Sequence, residues 1–96
     1  MIKHIVCFKL KNNSEECKQK AKALLLSMKG KVQSAINIEV GTDFLLSRKS
    51  YDVILIVTLT SRESLSDYQN DEYHCRAVKP YIHENSSDSV TVDYEI

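Results

Sequence analysis

Four stretches of the chain alternate with period two, and two stretches between them carry apolar residues at helical spacing, in the order β-α-β-β-α-β. That order predicts an α+β fold: a four-stranded antiparallel sheet with helices on one face. A further observation agrees. The only chain breakers are Gly30, Gly41 and Pro80, so nothing reads as a linker or a low-complexity segment. The 96 residues suit one domain over 1–96, with a core modest enough that an oligomer is a natural expectation.

Taken in order, Ile2 to Leu10 opens with a strand. Ile2, His4, Val6, Phe8 and Leu10 share one face, and Lys3, Ile5, Cys7 and Lys9 the other. Asn12-Asn13-Ser14 is a turn, and Ser14 is a good N-cap before Glu15 and Glu16, whose negative charge suits a helix start. Cys17, Ala21, Leu24, Leu25 and Met28 then form one apolar helical stripe. Lys18, Lys20, Lys22 and Lys29 fall outside it and read as a solvated face. Gly30 suits the C-cap.

A second strand runs from Ala35 to Val40. Gly41 to Ser50 reads as an irregular connection, whose Phe44-Leu45-Leu46 patch is expected to be buried. Tyr51 to Thr60 is the strongest strand: Val53 to Val57 is apolar on both faces, the pattern of a strand covered on both sides. Ser61 caps the next helix, with Leu65 and Tyr68 inward. Asn70 or Asp71 caps another, with Cys75, Val78 and Ile82 inward and Pro80 bending it. Asn85 to Asp88 reads as a turn. Val90, Val92, Tyr94 and Ile96 alternate with Thr91, Asp93 and Glu95 in a last strand.

This is the split βαβ, or ferredoxin-like, arrangement. Helices cover only one sheet face, so the apolar residues on the other need a partner. A two-fold dimer packing sheet on sheet supplies one. Thirteen basic and thirteen acidic residues cancel, which argues against nucleic acid or an anionic membrane as a partner. Cys7, Cys17 and Cys75 are odd in number and lack metal-type spacing, so they read as reduced thiols in a cytoplasmic protein. The N-terminus shows no signal-peptide pattern, and no apolar run approaches membrane-spanning length. No cofactor or metal is expected: there is no phosphate-cradling glycine loop and no local ligand spacing.

The stretch Ser61–Glu84 holds the best candidates for chemistry, Tyr68 and His74. On one unbroken helix, their spacing would turn the side chains about 240° apart. Gln69-Asn70-Asp71 between them predicts a bend, which would bring both to one cleft. The bend also puts His74 in a first helical turn, where the dipole disfavours an imidazolium. A neutral imidazole beside a phenol can serve as an acid/base pair. His4, Val6, Phe8 and Leu65 are the expected pocket-lining residues. The plain alternative is that Tyr68 packs in the core and His4 and His74 satisfy local hydrogen bonds.

Several segments together resemble the stress-responsive A/B barrel domain family, the dimeric α+β barrels known as Dabb. They are Lys3-His4-Ile5-Val6 with Phe8-Lys9, Ile38-Glu39-Val40-Gly41, Tyr51-Asp52, Asp67-Tyr68-Gln69-Asn70 with His74, and Val92-Asp93-Tyr94. The resemblance spans nearly the whole chain and implies a homodimer whose two sheets close a barrel. Most members of the family have no assigned activity. In a plant member that is a polyketide cyclase, the catalytic tyrosine and histidine fall on Tyr68 and His74. The resemblance therefore implies His74 as a base acting on a carbon next to a carbonyl, with Tyr68 donating to the enolate oxygen. Where the family often has His-Pro, this chain has Asp71-Glu72, which would make the pocket mouth more acidic. The leading expectation is a homodimer that binds a small apolar or aromatic molecule between sheet and helices. The alternatives are a cofactor-free enzyme of cyclase or monooxygenase type and a purely structural oligomer.

Overall fold

A computed structural model describes residues Met1–Ile96. Its elements are β1 (Ile2–Leu10), α1 (Glu15–Leu26), β2 (Asn37–Thr42), β3 (Val53–Leu59), α2 (Arg62–Gln69), α3 (Lys79–Asn85) and β4 (Ser86–Glu95). A π-helical turn, His74–Val78, leads into α3. The strands form one sheet in the order β2-β3-β1-β4, every neighbouring pair antiparallel. This is the α+β arrangement expected from the sequence, with the two terminal strands side by side.

The core lies between the sheet and the helices. Ile2 and Leu10 of β1, Ile38 and Val40 of β2, and Val53, Leu55, Val57 and Leu59 of β3 are all buried there. They meet Ala21 and Leu25 of α1, the nearby Met28 and Val32, and Tyr68, Val78 and Ile82. Caps fix the helix starts. The Ser14 hydroxyl accepts from Cys17 N at 3.2 Å, and the Ser61 hydroxyl accepts from Ser64 N at 3.2 Å. The turn after α1 reverses at Gly30, whose φ of 78° lies in the left-handed region that glycine enters without a side-chain clash. The carboxylate of Asp52 is buried at the start of β3, where it accepts from Leu10 N at 2.7 Å and ties β1 to the β2–β3 connection.

Register decides what lies on the second sheet face. Ile5, Cys7 and Lys3 pair with Val92, Val90 and Tyr94, and Ile5 and Cys7 pair on their other side with Ile56 and Ile54. Paired residues share a face, so these side chains form one surface that no helix covers. Val90, Val92 and Tyr94 are exposed, and Ile54 and Ile56 are half-buried rather than buried on both sides.

Several local expectations need correction. The Phe44-Leu45-Leu46 patch is not buried: Phe44 is 90% exposed. Its loop is held by polar bonds, from Leu46 N to the Asp43 carboxylate and between Ser47 and Ser50, and the chain has nothing to lay over it. Lys18 is not on a solvated face; it is buried, and its ammonium donates to the Asp43 carbonyl at 3.0 Å. The long stem follows apolar surface while the charge finds an oxygen. Residues 85–88 are not a free turn, because β4 begins at Ser86 directly after α3. The second strand starts two residues later than the alternation alone suggests. Pro80 stands in the first turn of α3 within a helical run that is unbroken from 72 to 85, and the backbone ahead of it widens into the π-helical turn, a local weakening of the regular helix.

Candidate functional site

Each of the three central side chains is delivered by a different element. His4 projects from β1 toward the helices and is buried. The pairing of β1 with β4 sets Asp93 directly opposite it, and His4 Nδ1 is hydrogen-bonded to the Asp93 carboxylate. Tyr68 closes the last turn of α2 and is 1% exposed. After Gln69 the chain turns: Asn70 N donates to Ser66 O at 3.0 Å and Asp71 N to Tyr68 O at 3.2 Å. Asp71 then caps the next helical turn, its carboxylate accepting from His74 N at 3.1 Å. This is the expected bend, and it returns His74 beside Tyr68.

The Tyr68 ring neighbours both imidazoles. Its centroid lies 4.6 Å from that of His74 and 5.6 Å from that of His4, with tilts of 38° and 59°. Both separations are typical of ring packing. The Tyr68 hydroxyl donates to the sulfur of Met28 at 3.8 Å, a fully buried partner. The phenol thus contributes its ring to the site while its proton is aimed into the core. Burial, reinforced by the Asp71 carboxylate, raises the Tyr68 phenol well above its ordinary range, so it stays protonated.

His74 is the opposite case. Burial is the main cause that pushes its imidazolium below the ordinary histidine range; the Gln69 carbonyl opposes it, while the Lys79 ammonium adds to it. Its Nδ1 is buried without a hydrogen-bond partner. The carbonyl of Gln69 also accepts from Cys75 Sγ. The neutral ring lines the cavity, but its Nδ1 is closed off from it, so a bound molecule meets the rest of the ring.

These groups line the inner end of a cavity of about 600 Å³ between sheet and helices. Val6, Phe8, Leu25, Leu55, Val78 and Ile82 form its apolar walls, and Ser89 and Thr91 of β4 line its edge. Lys11, Lys79, His83, Glu84 and Asp88 line the exposed end. Of the residues expected to line a pocket, His4, Val6 and Phe8 do so, whereas Leu65 packs against the core and is not in the wall. Asp71 and Glu72 are not at this mouth; they border a separate groove with Lys31, Tyr73 and Arg76, because the Asp71 side chain turns back to cap the helix.

The sequence alone does not single out Asp93, Thr91, Ser89 and Lys79 as site residues. A signal for Asp93 is nevertheless present. The last strand is polar at 91, 93 and 95, and pairing it antiparallel with the first strand sets 93 against His4.

The model of the stress responsive A/B barrel domain family matches residues 2–96. No curated protein matches the chain by sequence. Among solved structures, it is similar to a dimeric ferredoxin-like protein of unknown function from Thermobifida fusca, at 22% identity and a TM-score of 0.83, covering 99% of this chain and 90% of that one. A dimeric protein of unknown function with a ferredoxin-like fold from Bacteroides fragilis gives 24% identity and a TM-score of 0.82, covering 99% and 95%. Hydroxynitrile lyase from Passiflora edulis gives 16% identity and a TM-score of 0.81, covering 99% and 92%. At these identities the likeness establishes the fold.

Proposed function

The chain belongs to the stress-responsive A/B barrel domain family, and on that premise we propose that it is a homodimeric small-molecule-binding protein whose ligand occupies the cavity between sheet and helices. The observation that carries this reading is the inner end of the cavity. Three aromatic rings, His4, Tyr68 and His74, meet there among apolar walls. Cavities of roughly 300–1,000 Å³ with apolar walls and a few convergent polar groups are typical ligand sites.

The open sheet face supports the dimer. Ile5, Cys7, Ile54, Ile56, Val90, Val92 and Tyr94 form one surface without cover in the single chain. Burying a side chain of the valine or leucine class contributes about 1.5–3 kcal/mol, so sheet-on-sheet packing is a strong drive. The structural neighbours from Thermobifida fusca and Bacteroides fragilis are described as dimeric, which supports the same assembly here. The three cysteines are free thiols, which suits a reducing compartment such as the cytoplasm.

One observation favours a second reading, acid–base catalysis without a cofactor. The Asp93 carboxylate holds His4 through Nδ1, which leaves Nε2 as the unpaired base nitrogen. A carboxylate-oriented imidazole and a neutral imidazole at one cavity end could share the removal and return of a proton next to a carbonyl. Tyr68 would assist only by leaving Met28 to donate to the enolate oxygen.

Thermal stabilisation against a metabolite library, run on the native protein and on His74→Ala, tests the proposal. A compound that raises Tm of the native protein and not of the variant supports it, and conversion of that compound supports the second reading. Absence of any stabilising compound, with both proteins dimeric, speaks for a structural role.

A further inference from the structure

Resting on the homodimer reading above, we propose that the two copies are held in register by a reciprocal ion pair, Lys3 of each protomer against Glu39 of its partner, beside the apolar block of the open sheet face.

Strand pairing lays that face out as a lattice. Read from β2 to β4, its rows are Asn37-Thr58-Lys3-Tyr94, Glu39-Ile56-Ile5-Val92 and Gly41-Ile54-Cys7-Val90. Lys9 follows at one end, paired with Asp88 and set over the Tyr51 ring. Two charges border the apolar block without an opposite charge beside them. Neither Lys3 nor Glu39 belongs to any of the five ion pairs of the chain. The Lys3 ammonium donates to the Thr58 hydroxyl at 2.8 Å, which holds it over this face, and Glu39 is exposed on the edge strand β2. Packing a second sheet here encloses both, and an enclosed charge is costly unless it is paired.

The direction of the two-fold axis decides what each charge meets. With the axis through the middle of the apolar block and near the strand direction, as in aligned packing, Lys3 falls against Lys3 of the partner. An axis across the strands carries Lys3 toward the partner's Lys9. Of the two diagonals, one takes Lys3 past the β4 edge and Glu39 onto Asp88 and Lys9 together. The other brings Lys3 over Glu39. Within one chain these two residues stand two strands and one same-face step apart, about 12 Å. The axis that exchanges them lies about 35° from the strands and runs between Ile5 and Cys7, through the middle of the apolar block. Strands of the two sheets then cross at about 70°, near the orthogonal class of sheet packing.

An independent feature fits the same axis, which lays Tyr94 of one protomer over Gly41 of the other. Tyr94 is exposed, and Gly41 is the position in these rows that lacks a side chain. A Cβ there would stand 3.2 Å from Ile54 Cγ2. Its absence leaves a recess that the tyrosine ring can enter.

The test is a charge exchange, read by sedimentation velocity over a dilution series. Lys3→Glu and Glu39→Lys should each weaken the dimer by at least about a hundredfold, since each sets like charges together twice per dimer. The double variant should return to within about tenfold of the native protein. Single variants that dimerise as tightly as the native protein, or a double variant no tighter than the singles, would overturn the pair and leave the homodimer reading standing. A second measurement needs no variant. Zero-length carbodiimide coupling of the native protein should give a covalent dimer joined through Lys3 and Glu39, which are too far apart to couple within one chain. Covalent dimers joined only elsewhere, or none, contradict the pair. A native protein that stays monomeric at every concentration overturns the pair and the homodimer reading together.

Discussion

The carboxylate of Asp93 and Nδ1 of His4 meet across the pairing of the first and last strands, so the two ends of the chain jointly build the buried end of the cavity. The bond fixes which imidazole nitrogen carries the proton: Nδ1 donates to the carboxylate, and Nε2 stays free. Asp93→Asn should disturb that tautomer. Nitrogen NMR of labelled histidine should show one ring with protonated Nδ1 in the native protein and a mixture in the variant. Asp93 is partly exposed, so the stability loss should be modest, about 1 kcal/mol.

Tyr68 separates two roles that share one residue. Its ring packs between the imidazoles, while its hydroxyl binds only the Met28 sulfur. Tyr68→Phe keeps the ring and loses one weak bond, so it should cost under about 1 kcal/mol and preserve ligand binding. Tyr68→Ala empties a fully buried position and should cost about 3–5 kcal/mol. Chemical denaturation of both variants checks the pair. Loss of turnover in Tyr68→Phe with binding intact would mean that the hydroxyl leaves Met28 during a reaction.

The depressed His74 imidazole makes stability depend on pH with a definite sign. The unfolded chain protonates this histidine near its ordinary value of about 6.5, and the folded chain only at lower pH. Between those two values the unfolded state binds more protons, so stability rises with pH. The contribution is fully present above about 6.5 and falls as pH drops through the folded value. Tm measured from about pH 7.5 down to about pH 5 should decline, and His74→Gln should flatten part of that decline. A bound ligand that accepts from or donates to His74 should change the slope as well.

The open sheet face carries its own expectation. Val92 is 59% exposed in the single chain and pairs with Ile5 at the middle of the β1–β4 ladder. Val92→Lys would place a charge in a sheet-on-sheet interface, where it finds no partner. Light scattering should show the native protein as a dimer and this variant as a monomer with retained secondary structure. A dimeric Val92→Lys variant would place the interface elsewhere.

The strands and the bend near Asn70 can be read from the sequence because each rests on a local signal. Period-two alternation marks the strands, and Asp71 is a capping residue that does cap. The bend in turn makes the meeting of Tyr68 and His74 legible. The direction of the Tyr68 hydroxyl is not, since it depends on Met28, forty positions away. Lys18 shows the same limit. Its place just off the apolar stripe looks solvent-facing, yet the Asp43 carbonyl from the β2–β3 connection covers it. Phe44 to Leu46 fail in the other direction: composition says that apolar residues seek cover, but only the fold shows that nothing within the single chain covers this loop. Asp93 requires register, which the alternation of the last strand implies only once that strand is paired with the first.

The central claim is that the cavity ending at His4, Tyr68 and His74 binds a ligand, and filling the cavity tests it most directly. Thr91 is exposed on β4, lines the cavity and pairs with Val6, so Thr91→Phe should project a ring into the space without touching the core. Isothermal titration of the strongest stabilising compound should show binding to the native protein and its loss, by at least about a hundredfold, in Thr91→Phe at an unchanged Tm without ligand. Equal affinity in the two proteins would place the ligand outside this cavity and contradict the account.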